Sequence, residues 1–195
     1  MFNGIIFNTG KVKTLVKSKK SIFIKIQSKL AVKNNDIGSS ISCNGVCLTV
    51  VKIIKNYLFF YISEETLRKS NLQFLKVDEL INLERSITFG QKISGHFIQG
   101  HVDTTAKINK IDFTDKSWIL RLALKDKKLK KFLEEKASIS INGVSLTISK
   151  VTNDFFEIYV IPHTLKLTNL RYLKINNIVN VELDILSKYI YKYSN

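Results

Sequence analysis

Two of the three histidines in this 195-residue chain sit in one short run, Gly95-His96-Phe97-Ile98-Gln99-Gly100-His101. An imidazole near its reference pKa of about 6.5 gives and takes protons at neutral pH. Cys43 and Cys47 add two thiols. Cys-x-x-x-Cys and His-x-x-x-x-His are not the usual paired spacings of a zinc site, so we expect no metal. Cys47 lies in Asn44-Gly45-Val46-Cys47-Leu48-Thr49-Val50, and the chain repeats that stretch as Asn142-Gly143-Val144-Ser145-Leu146-Thr147-Ile148. Ser145 therefore stands where Cys47 does. A thiol is a few per cent thiolate at neutral pH, whereas a serine hydroxyl only hydrogen-bonds. Two copies of one pocket would treat the same ligand differently through that exchange. A small buried side chain in each copy is the plainer reading.

The repeat runs well beyond these motifs at an offset of 98, with 18 identities across the 45 positions from Ser40 to Glu84. Thr66-Leu67 returns as Thr164-Leu165, Asn71-Leu72 as Asn169-Leu170, and Asn82 and Glu84 as Asn180 and Glu182. Near the start of each half the offset is 96, pairing Gly4, Thr9 and Lys11 with Gly100, Thr105 and Lys107. Such self-similarity predicts two like domains. We place them at residues 1–92 and 93–185, with a tail at 186–195 and the joint around residues 89–94. Each is small enough to lean on its neighbour. Two equivalent pockets suit a reaction between two molecules of one compound, where positioning alone lowers the barrier substantially.

Strand signals dominate each half. Residues 21–27 alternate apolar and polar, residues 40–51 have the same character, and residues 57–62 are aromatic and β-branched. Lys55-Asn56 and Asn153-Asp154 read as turns. Residues 66–72 and 164–170 suit a short helix or tight loop, and residues 80–87 and 178–185 a further strand. The pattern predicts an all-β chain, a barrel or sandwich of about six strands per half. Residues 125–136 predict a helix with Leu129, Phe132 and Leu133 on one face. In the tail, Leu186, Tyr189, Ile190 and Tyr193 make a helical apolar stripe, either an oligomer contact or a face that docks on its own domain.

The formal net charge of +15 rests on 27 Lys and only 4 Arg, spread over both halves. Phosphate and base recognition favour the forked guanidinium, so we expect no nucleic-acid partner. Residues 1–10 lack a basic start followed by a long apolar run, and no apolar run reaches membrane-spanning length. With two cysteines a disulfide scaffold is not expected. The expectation is a cytoplasmic protein.

The motifs together resemble the riboflavin synthase alpha-chain family. They are Met1-Phe2-x-Gly4-Ile5-Ile6, Ser42-x-Asn44-Gly45-Val46-Cys47-Leu48-Thr49-Val50, and Glu65-Thr66-Leu67-Arg68 with Asn71-Leu72. Asn82-Leu83-Glu84-Arg85, Gly95-His96-Phe97, Gln99-Gly100-His101-Val102-Asp103, Ile161-Pro162-His163-Thr164 and Asn180-Val181-Glu182-Leu183-Asp184 follow in order. The resemblance covers both repeats, from Met1 to about Tyr189. It implies two six-stranded Greek-key β-barrels, a short C-terminal helix and a homotrimer, with no cofactor or metal. The implied reaction takes two molecules of 6,7-dimethyl-8-ribityllumazine, moves a four-carbon unit from one to the other, and yields riboflavin and 5-amino-6-ribitylamino-uracil. The implied site forms between the first barrel of one subunit and the second of a neighbour.

Carried over by motif, the first barrel's substrate contacts are Cys47, Leu48 and Thr49, then Tyr61, Ile62, Ser63, Glu64, Glu65 and Thr66. Gly4, Ile5 and Ile6 join them, and the second barrel contributes Gly100, His101, Val102 and Lys136. The second barrel adds Ser145, Leu146 and Thr147, then Tyr159, Val160, Ile161, Pro162, His163 and Thr164. Among these, the resemblance makes His101, Ser145 and Thr147 candidates for proton transfer from the ligand's C7 methyl and for polarising its ring. Cys47 or Ser40 would activate the acceptor ring, Asp184 would position groups or shuttle protons, and Phe2 would cover the site. Departures from the family pattern are Asn3, Phe7, Ser94 and Ser63-Glu64, the last pair where Met-Pro is frequent. The alternative is a lumazine- or flavin-binding protein of the same fold without turnover.

Overall fold

The computed structural model describes residues 1–194, with the Ser194 side chain outside that description, so the last residue of the expected 186–195 tail lies outside the described residues. Each half closes into a six-stranded antiparallel barrel. The first is built from β1 (Asn8–Lys17), β2 (Ser21–Ser28), β3 (Ser40–Cys43), β4 (Val46–Ile54), β5 (Tyr57–Ser63) and β6 (Leu80–Arg85). The second repeats it as β7 (Thr104–Thr114), β8 (Ser117–Leu124), β9 (Ser138–Ile141), β10 (Val144–Val151), β11 (Phe156–Val160) and β12 (Ile178–Leu183). Around the first barrel the order is β1-β2-β5-β4-β3-β6, with β6 pairing back to β1. Alternation sets the faces: Ile22, Ile24 and Ile26 of β2 point into the core while Phe23 lies outside. Small barrels need sharp bends, and a register shift falls at Val12/Thr14 in β1 and at Ile108/Lys110 in β7. The same irregularity recurs at Val50/Lys52 and Ile148/Lys150.

The stretches 40–51 and 138–151, expected as single strands, are hairpins instead. Asn44 (φ 49) and Gly45 (φ 79) are both left-handed, as are Asn142 (φ 47) and Gly143 (φ 80). Cys43 pairs with Val46 and Ile141 with Val144, so each Asn-Gly is a two-residue turn of the kind that matches strand twist.

Those turns also form the seam between the barrels. A Cβ on Gly45 would lie 2.7 Å from the Gly143 nitrogen, and one on Gly143 the same distance from the Gly45 nitrogen. Six asparagines surround the seam reciprocally. Asn82 Nδ2 donates to the Asn142 carbonyl (2.9 Å), and Asn180 Nδ2 to the Asn44 carbonyl (2.8 Å). The Asn71 amide N–H donates to Asn180 Oδ1 and that of Asn169 to Asn82 Oδ1. Each of the six side chains is bonded at least once, with Asn71 Oδ1 and Asn169 Oδ1 left without a partner among the described residues, and the network fixes one mutual orientation of the halves.

Beyond the seam the halves exchange their leading segments. Phe2 and Ile98, equivalent under the 96 offset, form an antiparallel bridge through two N–H···O bonds of 2.7 and 3.1 Å. Ile6 then enters the second barrel's core, while Val102 packs on the first barrel's core. Burying a side chain such as Ile6 is worth about 1.5–3 kcal/mol.

Among the described residues three α-helices and four 3-10 segments complete the chain. Glu64–Lys69 (α1) is capped by Ser63 Oγ, which accepts from the Thr66 N–H, and Pro162–Leu167 (α2) is its counterpart. The expected helix at 125–136 is shorter and tighter, a 3-10 segment at Lys127–Phe132. Its Leu129 and Phe132 pack on the second core, and Leu133 is buried there. Ile185–Ser194 (α3) docks through Lys188, which bonds both Asp103 oxygens at 2.9 Å, and through Tyr191 edge-on to Phe132. Its Leu186, Tyr189, Ile190 and Tyr193 stay exposed. Among the described residues no helix is long and apolar enough to cross a membrane.

Candidate active site

The exchanged segments lay one glycine against each repeat's Cys or Ser. The Cys47 N–H donates to the Gly100 carbonyl, and the Ser145 N–H to the Gly4 carbonyl, both at 2.8 Å. Both glycines are left-handed, and a Cβ on either would strike the opposite strand. A carboxylate fixes each from behind, Glu84 half-buried and Glu182 buried. Glu84 accepts from the Asn3 and Gly4 N–H groups at 2.8–3.1 Å, and Glu182 from those of Gln99 and Gly100 at 2.6 and 2.9 Å. Burial pushes Glu84 up to about 7, opposed by the N–H groups it accepts. Burial raises Glu182 as well. Glu84 and Glu182 stand out in the sequence as a repeated pair, but nothing local ties them to the glycines they hold.

In the first barrel this produces a cleft of about 280 Å³ lined by Val46, Cys47, Glu65, Thr66, Lys69, Ser70, Gly100, His101 and Val102. It gathers six of the sequence-predicted residues. Thr49 is exposed on the same strand as Cys47, and Ser40 pairs with it in register. Ser63 and Glu64 are exposed at the start of α1, and Tyr61 is exposed on β5. Leu48 and Ile62 are core residues, so only their backbone can face a ligand. Arg68, bonded to Glu65 at 2.7 Å, holds that carboxyl below the usual carboxylate range. Burial raises the Cys43 thiol strongly, leaving Cys47 as the accessible one.

In the second barrel the equivalent strand presents Ser145, half-buried, and Thr147, exposed. Leu146 leans on the core and Val160 lies within it. Tyr159, Ile161, Pro162 and His163 are exposed, with Thr164 half-buried. Ile5 is half-buried beside Gly4. Lys136 is exposed in a left-handed conformation (φ 69), where the first repeat has Gly38 (φ 89). Asp184, half-buried, accepts from the Leu186 N–H at the head of α3. Phe2, expected as a cover, is wholly buried, its backbone holding the bridge to Ile98.

Within one chain His101 lines the first barrel's cleft, whereas Ser145 stands on β10 of the second barrel. His96, not His101, meets Ser145: its Nδ1 lies 2.7 Å from Ser145 Oγ. Burial holds this imidazole below its usual pKa, opposed by the Asp184 charge. Both histidines stand in the same motif, and sequence alone gave no reason to choose His96.

The lumazine binding domain matches residues 3–86 and again 99–184. The chain is 36% identical to riboflavin synthase of Actinobacillus pleuropneumoniae over 99% of this chain and 89% of that protein. It is 37% identical to riboflavin synthase of Bacillus subtilis strain 168, with the same coverage of each. Its fold matches the crystal structure of LumP complexed with riboflavin at a TM-score of 0.82 and 26% identity, covering 94% of this chain and 99% of that one.

Proposed function

The chain belongs to the riboflavin synthase family of tandem lumazine-binding domains, and we infer that it carries out that family's reaction. It is a transferase: two molecules of 6,7-dimethyl-8-ribityllumazine dismutate, a four-carbon unit passes between them, and riboflavin and 5-amino-6-ribitylamino-uracil result. One observation carries the reading. The two barrels share one frame, a glycine carbonyl on the second Val-x-Leu-Thr strand residue, yet one holds Cys47 there and the other Ser145. A shared frame suits one ligand bound twice, and the exchange suits unequal roles.

In the first cleft Cys47, assisted by Ser40, activates the acceptor ring, and His101 supplies or takes protons. In the second, Ser145 and Thr147 serve the donor, whose methyl loses a proton, and Asp184 supplies charge nearby. Backbone groups of Leu48, Ile62, Leu146 and Val160 and the flanking hydroxyls hold the ring edge and ribityl chain. Because His101 lines the first barrel's cleft and Ser145 stands on the second barrel, the working site pairs the first cleft of one subunit with the second barrel of its neighbour. The assembly is a homotrimer whose contact is the exposed stripe of α3. The working units are residues 1–92 and 93–185, acting in the cytoplasm on a small molecule, without a nucleic-acid partner.

Incubation with the lumazine while following riboflavin absorbance tests the reaction. Riboflavin should accumulate; binding without accumulation would make the chain a carrier of the same fold. Light scattering at micromolar concentration should give a trimer, and a monomer would remove the shared site.

A further inference from the structure

We propose that the cleft at the seam between the two barrels is a further ligand site, separate from the lumazine-binding clefts, and that it takes a neutral polyol. The cleft has a volume of about 620 Å³ and is lined from both repeats. Ligand sites of this size favour domain interfaces. Asn44, Asn71 and Phe74 of the first repeat correspond there to Asn142, Asn169 and Tyr172 of the second. The seam cleft shares no lining residue with the cleft at Cys47.

Four of these residues form two amide pairs across the repeats. Asn169 Nδ2 donates to Asn44 Oδ1 at 3.0 Å, and Asn71 Nδ2 to Asn142 Oδ1 at 3.2 Å. Each pair leaves one donor and one acceptor over. Asn44 and Asn142 are each 2% exposed, and among the described residues nothing accepts from either Nδ2. Asn169 is 7% exposed, and the Oδ1 atoms of Asn169 and Asn71 are buried and meet no donor. Unmet amide groups in an interior cost stability. Asn82 and Asn180, which hold the same seam, are bonded at both ends of the side chain. Bracing the barrels therefore accounts for Asn82 and Asn180 but not for the four groups left over at the cleft.

The ligand's chemistry follows from that set. A hydroxyl both donates and accepts, so one hydroxyl, or two on neighbouring carbons, answers a donor–acceptor pair. A phosphate dianion brings no donor for the oxygens, and an ammonium no acceptor for the nitrogens. The carboxylates at the rim are already engaged: Asp78 pairs with Lys11 at 3.0 Å and Lys13 at 3.5 Å, and Glu79 Oε2 accepts from the Lys76 N–H. Phe74 and Tyr172 are both exposed and offer the carbon chain an apolar surface from each repeat. Two like pairs suit a chain with hydroxyls towards both ends. A hydroxyl also reproduces the bonds of a water it displaces, so the exchange costs little.

The test titrates ribitol, a linear polyol, into the full-length protein by calorimetry, with and without saturating riboflavin. Ribitol should bind saturably with a Kd on the order of 1–10 mM, and riboflavin should not displace it. Asn44→Asp replaces the free donor by an acceptor and keeps the oxygen that the Asn82 N–H and Asn169 Nδ2 use. Phe74→Ala combined with Tyr172→Ala strips the exposed rim. Each variant should weaken ribitol at least about tenfold and still bind riboflavin. Absence of saturable binding at about ten times the expected Kd means that water alone serves the amides, and overturns the proposal. Displacement by riboflavin puts ribitol in the lumazine-binding clefts and overturns it too. Unchanged ribitol affinity in the double rim variant also overturns it, and that variant decides if Asn44→Asp does not fold.

Discussion

Replacing Gly45 by Ala puts a methyl group into the seam between the barrels. The new Cβ would lie 2.7 Å from the Gly143 nitrogen and 3.1 Å from its Cα. Both are backbone atoms, so no rotamer change relieves the contact. Either the turn deforms or the barrels part, and parting stretches the Asn82–Asn142 and Asn180–Asn44 bonds. Two costs add. A left-handed L-residue costs about 1–2 kcal/mol, and forcing an extra carbon into packed backbone about 1–3 kcal/mol. Gly38 separates them, because it is equally left-handed (φ 89) but a Cβ there meets nothing within 4 Å. Equilibrium urea unfolding should therefore give a loss of about 1–2 kcal/mol for Gly38→Ala and about 2–5 kcal/mol for Gly45→Ala. Equal losses in the two variants would refute the seam contact as an energetic feature.

The isolated fragment 1–92 lacks Gly100, His101 and Val102 along its cleft, but its own Gly4 segment can take their place on a second copy. It should bind riboflavin as a dimer and turn over no lumazine; tight binding by a monomer in light scattering would contradict this. Burial raises Glu84 from its reference of 4.5 to about 7, so its contribution to stability is full below about 4.5 and is lost as pH rises through 7. At about 1.4 kcal/mol per unit the loss is at most ~3.5 kcal/mol. Glu84→Gln should flatten the dependence of urea midpoint on pH between 5 and 8, and an unchanged slope would show that the carboxylate does not titrate there. Lys136→Gly should raise stability by about 1 kcal/mol in thermal unfolding, because it relieves a left-handed lysine (φ 69). Its turnover should fall if the ammonium group meets the ligand, and unchanged kinetics would release Lys136 from the site.

The halves and their strand content were legible because a repeat of 98 residues and alternating apolar positions are local facts. The hairpin at Asn44-Gly45 was legible too, since Asn-Gly is the strongest short turn signal. The shared strand character of the flanking residues masks it. One short motif serves two surfaces: its Asn and Gly face the other barrel, and Cys47 lines the first barrel's cleft. Repetition marks positions with one geometry in both copies, but it does not separate the surface that meets a ligand from the surface that meets the twin. The exchange of Ile6 and Val102 is a choice between two equivalent hydrophobic docks, and no local pattern records which is taken. β1 carries little strand signal because its buried Val12 lies among lysines and threonines.

The crossing of Phe2 with Ile98 bears on how the chain is made. During synthesis the first six strands emerge and can close while the second half is still inside or behind the ribosome. Phe2, Gly4 and Ile6 then have no dock, because Ile98, Ser145 and the second core do not yet exist. At roughly 5–20 residues per second, Gly4 waits roughly 7–28 s for Ser145. For that interval a nascent barrel trails an apolar N-terminal ribbon with free N–H and C=O groups, a template for pairing with the wrong chain. On a polysome, the nearest wrong chain is another copy at the same stage, which offers the same vacant places.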